Sequence, residues 1–354
     1  MKNRIIQRLI YVLLLAAFSL PLSAQEEPAS KKEPGTFDAG TFILDHIADS
    51  HEWHILTKKN GDAVAIYLPV ILYSREKGLN IFSSRRLAGG AVYKGYKLEE
   101  EGDLKGKIVS VNESGVADEK NRPLDFSMTK TVVAMLSAAI IGLVLFLSLA
   151  RSYKKTGISH PKGIQGFLEP AVLFIRDDIA IPNIGIHHYE KYMPYLLSVF
   201  FFIIINNIMG LIPFPPPFGA NVTGNIALTF VLAACTFLIT QFSGNKAYWK
   251  HVFAAPGVPF WLLPIMIPVE IIGLFSKPFA LMIRLFANIT AGHIIVLSLI
   301  CLIFIFSSIA IAPVSIFFVL FMDCLELLVA FLQAYIFTLL SSLFIGMAMP
   351  EEHH

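Results

Sequence analysis

The sequence predicts an all-α polytopic membrane protein with about five membrane-embedded helical segments, the last two forming a long tilted hairpin, and a small, partly β domain outside the membrane. Three observations support this class. Hydrophobic residues make up 55% of the 354 residues and charged residues only 15%, whereas soluble domains carry about 25% charged residues. Several uncharged stretches reach the roughly 20 residues that cross a bilayer. The segment before them is polar and holds most of the acidic residues.

The composition also excludes some classes of function. The net charge is only +2 and the basic residues lie in short loops, so no nucleic-acid partner is expected. Cys235, Cys301 and Cys324 lie in apolar runs and are interpreted as small buried hydrophobic residues. Neither a disulfide framework nor a cysteine metal site is available, and we expect no cofactor and no metal.

The first 24 residues have the parts of a secretory signal peptide. Lys2, Arg4 and Arg8 form a basic start, residues 9–20 an apolar core, and Ala24 ends a stretch of small residues. The core is too short to span a membrane. We therefore expect residues 1–24 to be cleaved, with an uncleaved anchor helix as the alternative.

Residues 25–126 are then an extracytoplasmic N-terminal domain. The Asn60-Gly61 pair between residues 51–57 and 63–72 is typical of a β-hairpin. His46, His51 and His54 are a conceivable metal cluster. Because no cysteine follows at ligand spacing, we interpret them as polar surface residues.

The remaining chain alternates between apolar stretches and short loops. We assign a first transmembrane helix (127–150), a cytoplasmic loop (151–191), a membrane-embedded domain (192–350) and a C-terminal tail (351–354). Within the loop, residues 164–175 are apolar on one side and too short to span, which predicts an interfacial helix. The apolar stretches themselves are 131–150, 192–212, 226–242, 260–306 and 314–347.

The basic residues predict the orientation of these segments. The 151–191 loop carries six Lys or Arg residues and the 244–258 loop two, whereas the 213–225 loop and the break at 307–313 carry none. Cationic loops stay on the cytoplasmic side. The N-terminal domain is therefore expected outside and the C-terminus inside, in agreement with the signal peptide.

Few ionisable residues lie inside the apolar stretches, where such groups are functional candidates. Glu270, Lys277, Arg284 and Asn288 follow one another at spacings of seven, seven and four. These spacings place them on nearly the same face of a helix. His293 lies nine residues beyond Arg284, on the opposite face and about 13 Å further along.

The last apolar stretch offers Glu326 and Gln333, seven residues apart and on a shared face. A histidine near a glutamate is a usable proton relay, whereas an arginine keeps its proton. A permanent charge at mid-depth between titratable groups suits a site that prevents protons from running straight through. A structural network of buried charges is the alternative.

Several motifs resemble subunit a of the F-type ATP synthase. The similarity covers residues 128 to the C-terminus, and its motifs occur in order on the expected spans. They are NIMGLIP (207–213), SKP (276–278), RLFAN (284–288) followed by Ala291-Gly292, LQAYIF (332–337) and the ending MAMPEEH (347–353).

The resemblance implies a non-catalytic subunit that forms two proton half-channels against a rotating c-ring and couples proton flow to rotation and ATP synthesis. Arg284 would be the essential stator arginine facing the ring. The implied partners are the c-ring, the b-subunit peripheral stalk, membrane lipid and, indirectly, the catalytic head. The implied location is a bacterial inner membrane. The residues implied for proton translocation are Arg284, Asn288, His293, Glu326 and Gln333. Those implied to line the half-channels are Glu270 and Ser276 toward the cytoplasm, Asn221 or Asn225 near the outer mouth, and Asn207.

The chain departs from the family pattern in three respects. Some members carry an acid at position 293 and a histidine at 326, so the pair is exchanged here. Gly210 stands where some members have an acid, and the N-terminal domain exceeds the usual family length. The sequence leaves open the coupling ion, proton or sodium, the ring stoichiometry and the preferred direction.

Two other classes of function were weighed. A self-contained ion or solute transporter would show an internal repeat, and none is visible in the sequence. A membrane hydrolase would need a nucleophile motif such as Gly-x-Ser-x-Gly, which the sequence lacks.

Overall fold

The computed structural model describes residues 38–57, 63–75, 77–100, 102, 104–112, 122–156, 163–213, 215–253, 260–306 and 311–349. The predicted signal peptide, the Asn60-Gly61 turn and the 351–354 tail lie outside the described residues. In the described part of the chain, five helices are long and apolar enough to cross a membrane. The predicted class, a helical membrane protein with a small β-containing N-terminal region, is therefore confirmed.

In the described part of the N-terminal region, a first helix, α1 (Ala39–Ile47), is followed by short antiparallel strands, of which the first two are β1 (Glu52–Thr57) and β2 (Ala63–Tyr67). Strands β1 and β2 pair as predicted, with Glu52 opposite Tyr67. The second run of the predicted hairpin, residues 63–72, is divided between two strands, because the chain changes sheets at Leu68 and a new strand starts at Pro69. Proline lacks an N–H donor and is favoured at a first strand position. The elements are α1 (Ala39–Ile47), β1 (Glu52–Thr57), β2 (Ala63–Tyr67), β3 (Pro69–Ser74), β4 (Gly78–Ser83), β5 (Tyr96–Leu98), β6 (Ile108–Ser110) and β7 (Leu124–Asp125).

These strands form three small sheets. β1 pairs with β2, β3 lies between β4 and β7, and β5 pairs with β6. A short 3-10 helix at Ser84–Gly90 follows β4. β3, β5, β6 and the 3-10 helix share a core of Val70, Leu72, Leu87, Tyr96 and Ile108. This region therefore has a hydrophobic core of its own.

The rest of the described chain consists mainly of helices. Helix α8 spans Leu263–Phe306 and is 44 residues long. Its length is about 66 Å at 1.5 Å per residue, so it must tilt strongly to fit a hydrocarbon core of roughly 30 Å. It continues without a break through Pro268 and Pro278. The elements are α2 (Lys130–Thr156), α3 (Ile164–Phe174), α4 (Ile181–Ile184), α5 (Tyr189–Leu211), α6 (Ile226–Ser243), α7 (Lys246–Phe253), α8 (Leu263–Phe306) and α9 (Ala312–Met347).

Helix α9 is central to the bundle. It packs against α8 and α5, while α6 packs against α8 and α2 against α5. The buried core between them draws on Leu196 and Phe200 of α5, Leu281 and Leu285 of α8, and Phe337 of α9. This arrangement brings the polar residues of α5, α8 and α9 toward one another.

The predicted interfacial segment is helical but longer than expected. It runs as α3 and then as a π-helical turn over Ile175–Ala180 into α4. Leu168, Ile175 and Ile179 are buried in the bundle core, so this segment also packs against the membrane helices. Its apolar side meets protein because α4 lies against the end of α9.

Candidate functional site

The centre of the candidate site is a contact between the long antiparallel helices α8 and α9. His293 Nδ1 lies 2.5 Å from Glu326 Oε1, and the side chains are 16% and 5% exposed. This distance is within hydrogen-bonding range. The structure thus brings together the two titratable residues that the sequence predicted to lie near one another.

Gly292 makes room for this pair, and Gly210 lies beside it. A Cβ at Gly292 would stand 3.1 Å from the Glu326 carboxyl group, and one at Gly210 would stand 4.0 Å from the His293 ring. The same Cβ at Gly210 would be 3.4 Å from the Ala220 carbonyl oxygen. Gly210, to which the sequence assigned no proton role, therefore lies where α5, α8 and the 215–225 loop meet.

Arg284 is half-buried on α8, about 13 Å from His293 along the helix. Among the described residues it forms no ion pair with an acidic side chain. Asn288, one turn further on, is exposed. A cation at membrane depth is costly without a counter-charge, so this surface is suited to a partner that carries one.

Gln333 and Asn207 lie on the inner side of the bundle. Gln333 is 3% exposed and shares the buried face of α9 with Glu326. The Asn207 amide donates to the Ala330 carbonyl oxygen at 3.2 Å, and its Oδ1 accepts from the Thr223 hydroxyl at 2.6 Å. Asn207 thus links the 215–225 loop to α9 about one turn beyond Glu326.

Asn221 and Asn225 shape the loop itself. Asn225 caps α6, its Oδ1 accepting from the Ala227 backbone N–H at 2.9 Å. Asn221 Oδ1 accepts from the Gly224 N–H at 2.9 Å. Its buried Nδ2 has no hydrogen-bond partner within the described residues. This amide donor is therefore left unsatisfied at this end of the bundle.

Glu270 and Ser276 lie on the other half of α8. Glu270 is half-buried, and Ser276 is exposed and donates to the Gly273 carbonyl oxygen at 3.0 Å. Nearby, a cavity of about 20 Å³ lies between α6, α7, α8 and α9. Thr240, Gln241 and Tyr248 are among its polar lining residues.

Burial raises the pKa of Tyr248 above its usual value, the negative charge of Glu270 raises it further, and a hydrogen bond with Gln241 opposes both. Sequence reasoning missed this cavity because its polar residues come from three separate elements. It also gave no role to Asp323, which is half-buried one turn before Glu326 on α9.

Of the three N-terminal histidines, the structure describes the side chains of His46 and His51. His51 lies 3.5 Å from Asp125, and the side chain of His54 is outside the described part. Within that part, no three His, Cys, Asp or Glu residues are grouped so as to hold a metal ion.

Comparisons with known proteins identify the family. Residues 132–346 match the model of a family described as ATP synthase A chain, and residues 42–126 match a domain of unknown function. A protein named ATP synthase subunit a from Chloroherpeton thalassium is 51% identical over 65% of this chain and 69% of its own length. One named ATP synthase subunit a 2 from Chlorobaculum tepidum is 52% identical over 63% of this chain and 64% of its own. For the Myxococcus xanthus subunit a these values are 48%, 65% and 76%.

Proposed function

The chain belongs to the family of the ATP synthase A chain, and on that basis we propose which of its residues carry protons and which partners they face. It is a multi-pass membrane protein of the ATP synthase complex, in which it couples proton flow to ATP synthesis. In the proposed role it catalyses no covalent step, since it only guides protons to and from a rotating ring of c subunits. The three relatives named above are ATP synthase a subunits by name, and none of them supports the alternative of a self-contained transporter.

The unpaired Arg284 is the observation that carries the proposal. A carboxylate on a passing ring helix would supply the counter-charge that the described residues do not. Arg284 would lower the pKa of that carboxyl group and hold it ionised, so that it must release its proton before passing. Since arginine does not itself give up a proton, it would also separate the two half-channels.

The surface around Arg284 fits a close helix partner. Ser276, Ala280, Ala287 and Ala291 are exposed on α8 on either side of it. Small residues let helix backbones approach closely in membranes. The c-ring is therefore the proposed neighbour of this face, with Asn288 beside Arg284. The b-subunit stalk, the lipid and, indirectly, the catalytic head are the remaining partners.

The proposed outer half-channel leads through the 215–225 loop, with Asn221 and Asn225, past Asn207 to the His293–Glu326 pair. Gln333 continues the buried polar face of α9 from Glu326. Protons leave on the other side past Glu270, about 21 Å from Arg284 along α8, and Ser276. The cavity beside Tyr248 offers a polar route at that end.

The proposed orientation puts residues 25–126 outside and the C-terminus in the cytoplasm of a bacterial cell, with residues 1–24 as a signal peptide. Contacts within the described chain support placing the N-terminal region on the same side as the 215–225 loop, and the C-terminal end of α9 on the same side as the 244–258 loop. Trp53 of the N-terminal region clusters with Ala220 and Val222 of the 215–225 loop. At the other end, the Asn245 N–H donates to the Ala348 carbonyl oxygen at 3.0 Å.

Cross-linking tests the proposed partner. A cysteine at Ala287, on the exposed face beside Arg284, should cross-link to a cysteine on the outer helix of a ring subunit in native membranes. Val231→Cys, an exposed position on α6, is the matched control and should not. Cross-linking from position 231 in preference to 287 would place the ring on another face.

A further inference from the structure

The N-terminal region of unknown function is rigidly joined to the first membrane helix. The Asp49 carboxylate accepts from the Thr131 N–H at 3.1 Å, and the Ser50 carbonyl oxygen accepts from the Lys130 N–H at 2.9 Å. The Met128 N–H donates to the Pro69 carbonyl oxygen at 3.0 Å. These bonds hold the N-terminal region close to the start of α2, so the region cannot move freely about this junction.

From this fixed position the region reaches the 215–225 loop. Trp53 and Leu68 form one buried cluster with Ala134 of α2 and with Ala220 and Val222 of the loop. Trp53 and Leu68 are each 7% exposed, and Ala220 and Val222 each 1%. Burial of apolar surface is what stabilises such a cluster. The loop has no helix or strand of its own, so its conformation depends on packing of this kind.

The same loop is bonded to the candidate proton site. Thr223, adjacent to Val222, donates to Asn207, which in turn donates to α9 at Ala330. The Gly219 N–H donates to the Met209 carbonyl oxygen at 2.9 Å, next to Gly210 beside the His293 ring. A shift of the loop would therefore move Asn207 and loosen the packing around His293.

We propose that the extracytoplasmic N-terminal region is a clamp on the outer proton entrance. Trp53 and Leu68 hold the 215–225 loop, and the loop holds Asn207 and the His293–Glu326 pair in the geometry for proton uptake. Only the purpose of the clamp rests on the proposed function. The contact of Trp53 and Leu68 with the loop is independent of what the subunit transports. Trp53 acts through the loop and is a positioning residue.

Thiol labelling tests the clamp without relying on activity. In the intact complex, with the three native cysteines replaced, a cysteine at Val222 should react slowly with an impermeant maleimide. Trp53→Ala should speed this labelling at least tenfold, because truncation in a buried cluster costs more than the ~1.4 kcal/mol that a tenfold change represents. Trp53→Phe should restore most of the protection. Ile81→Ala, which truncates an exposed residue on β4 of the same region, should leave the rate unchanged.

Proton uptake by the same complexes, without the position-222 cysteine, tests the purpose of the clamp. Per assembled complex, Trp53→Ala should lower proton-driven ATP synthesis severalfold, with the largest loss at high outer pH, where uptake limits the rate. Thr223→Ala added to it should cause little further loss, since both act through the loop.

Unchanged labelling at position 222 would overturn the clamp. Faster labelling with normal synthesis at every outer pH would overturn its role in proton uptake. Failure of the proposed function is distinguishable from both, because the unmutated complex would then make no ATP from a proton gradient.

Discussion

The contact between His293 and Glu326 joins two groups that can exchange one proton. One short hydrogen bond joins the two side chains, so a change in either residue alters the surroundings of the other. The glycine at 292 leaves space for the Glu326 carboxyl group, which a Cβ there would approach to 3.1 Å. The pair is thus a unit whose two members depend on one another.

Exchanging the two residues tests this dependence. His293→Glu and Glu326→His alone should each lower proton flux about tenfold, since each leaves two like groups in contact. The double exchange should recover much of the loss, because contacting residues couple by about 0.5–3 kcal/mol. The measurement is proton uptake by membrane vesicles from which the catalytic head has been removed. It compares the unmutated protein, the two single variants and the double variant. Losses that simply add in the double variant would contradict a functional pair.

Helix α9 depends on one close backbone approach near its end. A Cβ at Gly346 would stand 1.8 Å from the Asn183 carbonyl oxygen of α4, and backbone atoms cannot move aside cheaply. By contrast, a Cβ at Gly273 of α8 would have no neighbour within 4 Å. Both glycines are helical, so they form a matched pair.

Gly346→Ala should therefore weaken the packing of α4 on α9 by about 1–3 kcal/mol, as overpacked sites do. Gly273→Ala should be neutral or stabilising, since alanine favours helices over glycine by about 1 kcal/mol. The fraction of assembled complex that survives heating in detergent measures both. Equal survival of the two variants would show that α4 does not lie this close to α9.

The helical elements could be predicted well because a bilayer imposes a simple requirement on length and polarity. Spans such as 226–242 differ from the observed α6 by one residue. The break at Leu68 and the extension of α3 toward Ile184 could not be predicted, since both are set by tertiary packing. The spacing of Glu326 and Gln333 predicted that they share a face. The hydrogen bond from Thr223 to Asn207 could not be predicted in this way, because it depends on how the loop packs on the bundle.

The whole molecule places its two polar ends on opposite sides of the bundle. In the proposed orientation, Arg85 beside β4 is outside and Asp178 beside α3 is inside, and both are exposed. A cysteine at Arg85 in a protein lacking native cysteines should react with an impermeant thiol reagent in cells whose inner membrane is intact. One at Asp178 should react only after that membrane is opened. The reverse pattern would exchange the entrance and the exit.

The most direct test of the account is proton-driven ATP synthesis by the Arg284→Ala complex in membrane vesicles. The account predicts an assembled complex with normal ATP hydrolysis in its detached catalytic head and ATP synthesis at background level. Arg284→Lys should also fail, because lysine is a compact charge that can lose its proton when buried. Substantial synthesis by assembled Arg284→Ala complexes would contradict the central claim that this unpaired cation controls the ring carboxylate.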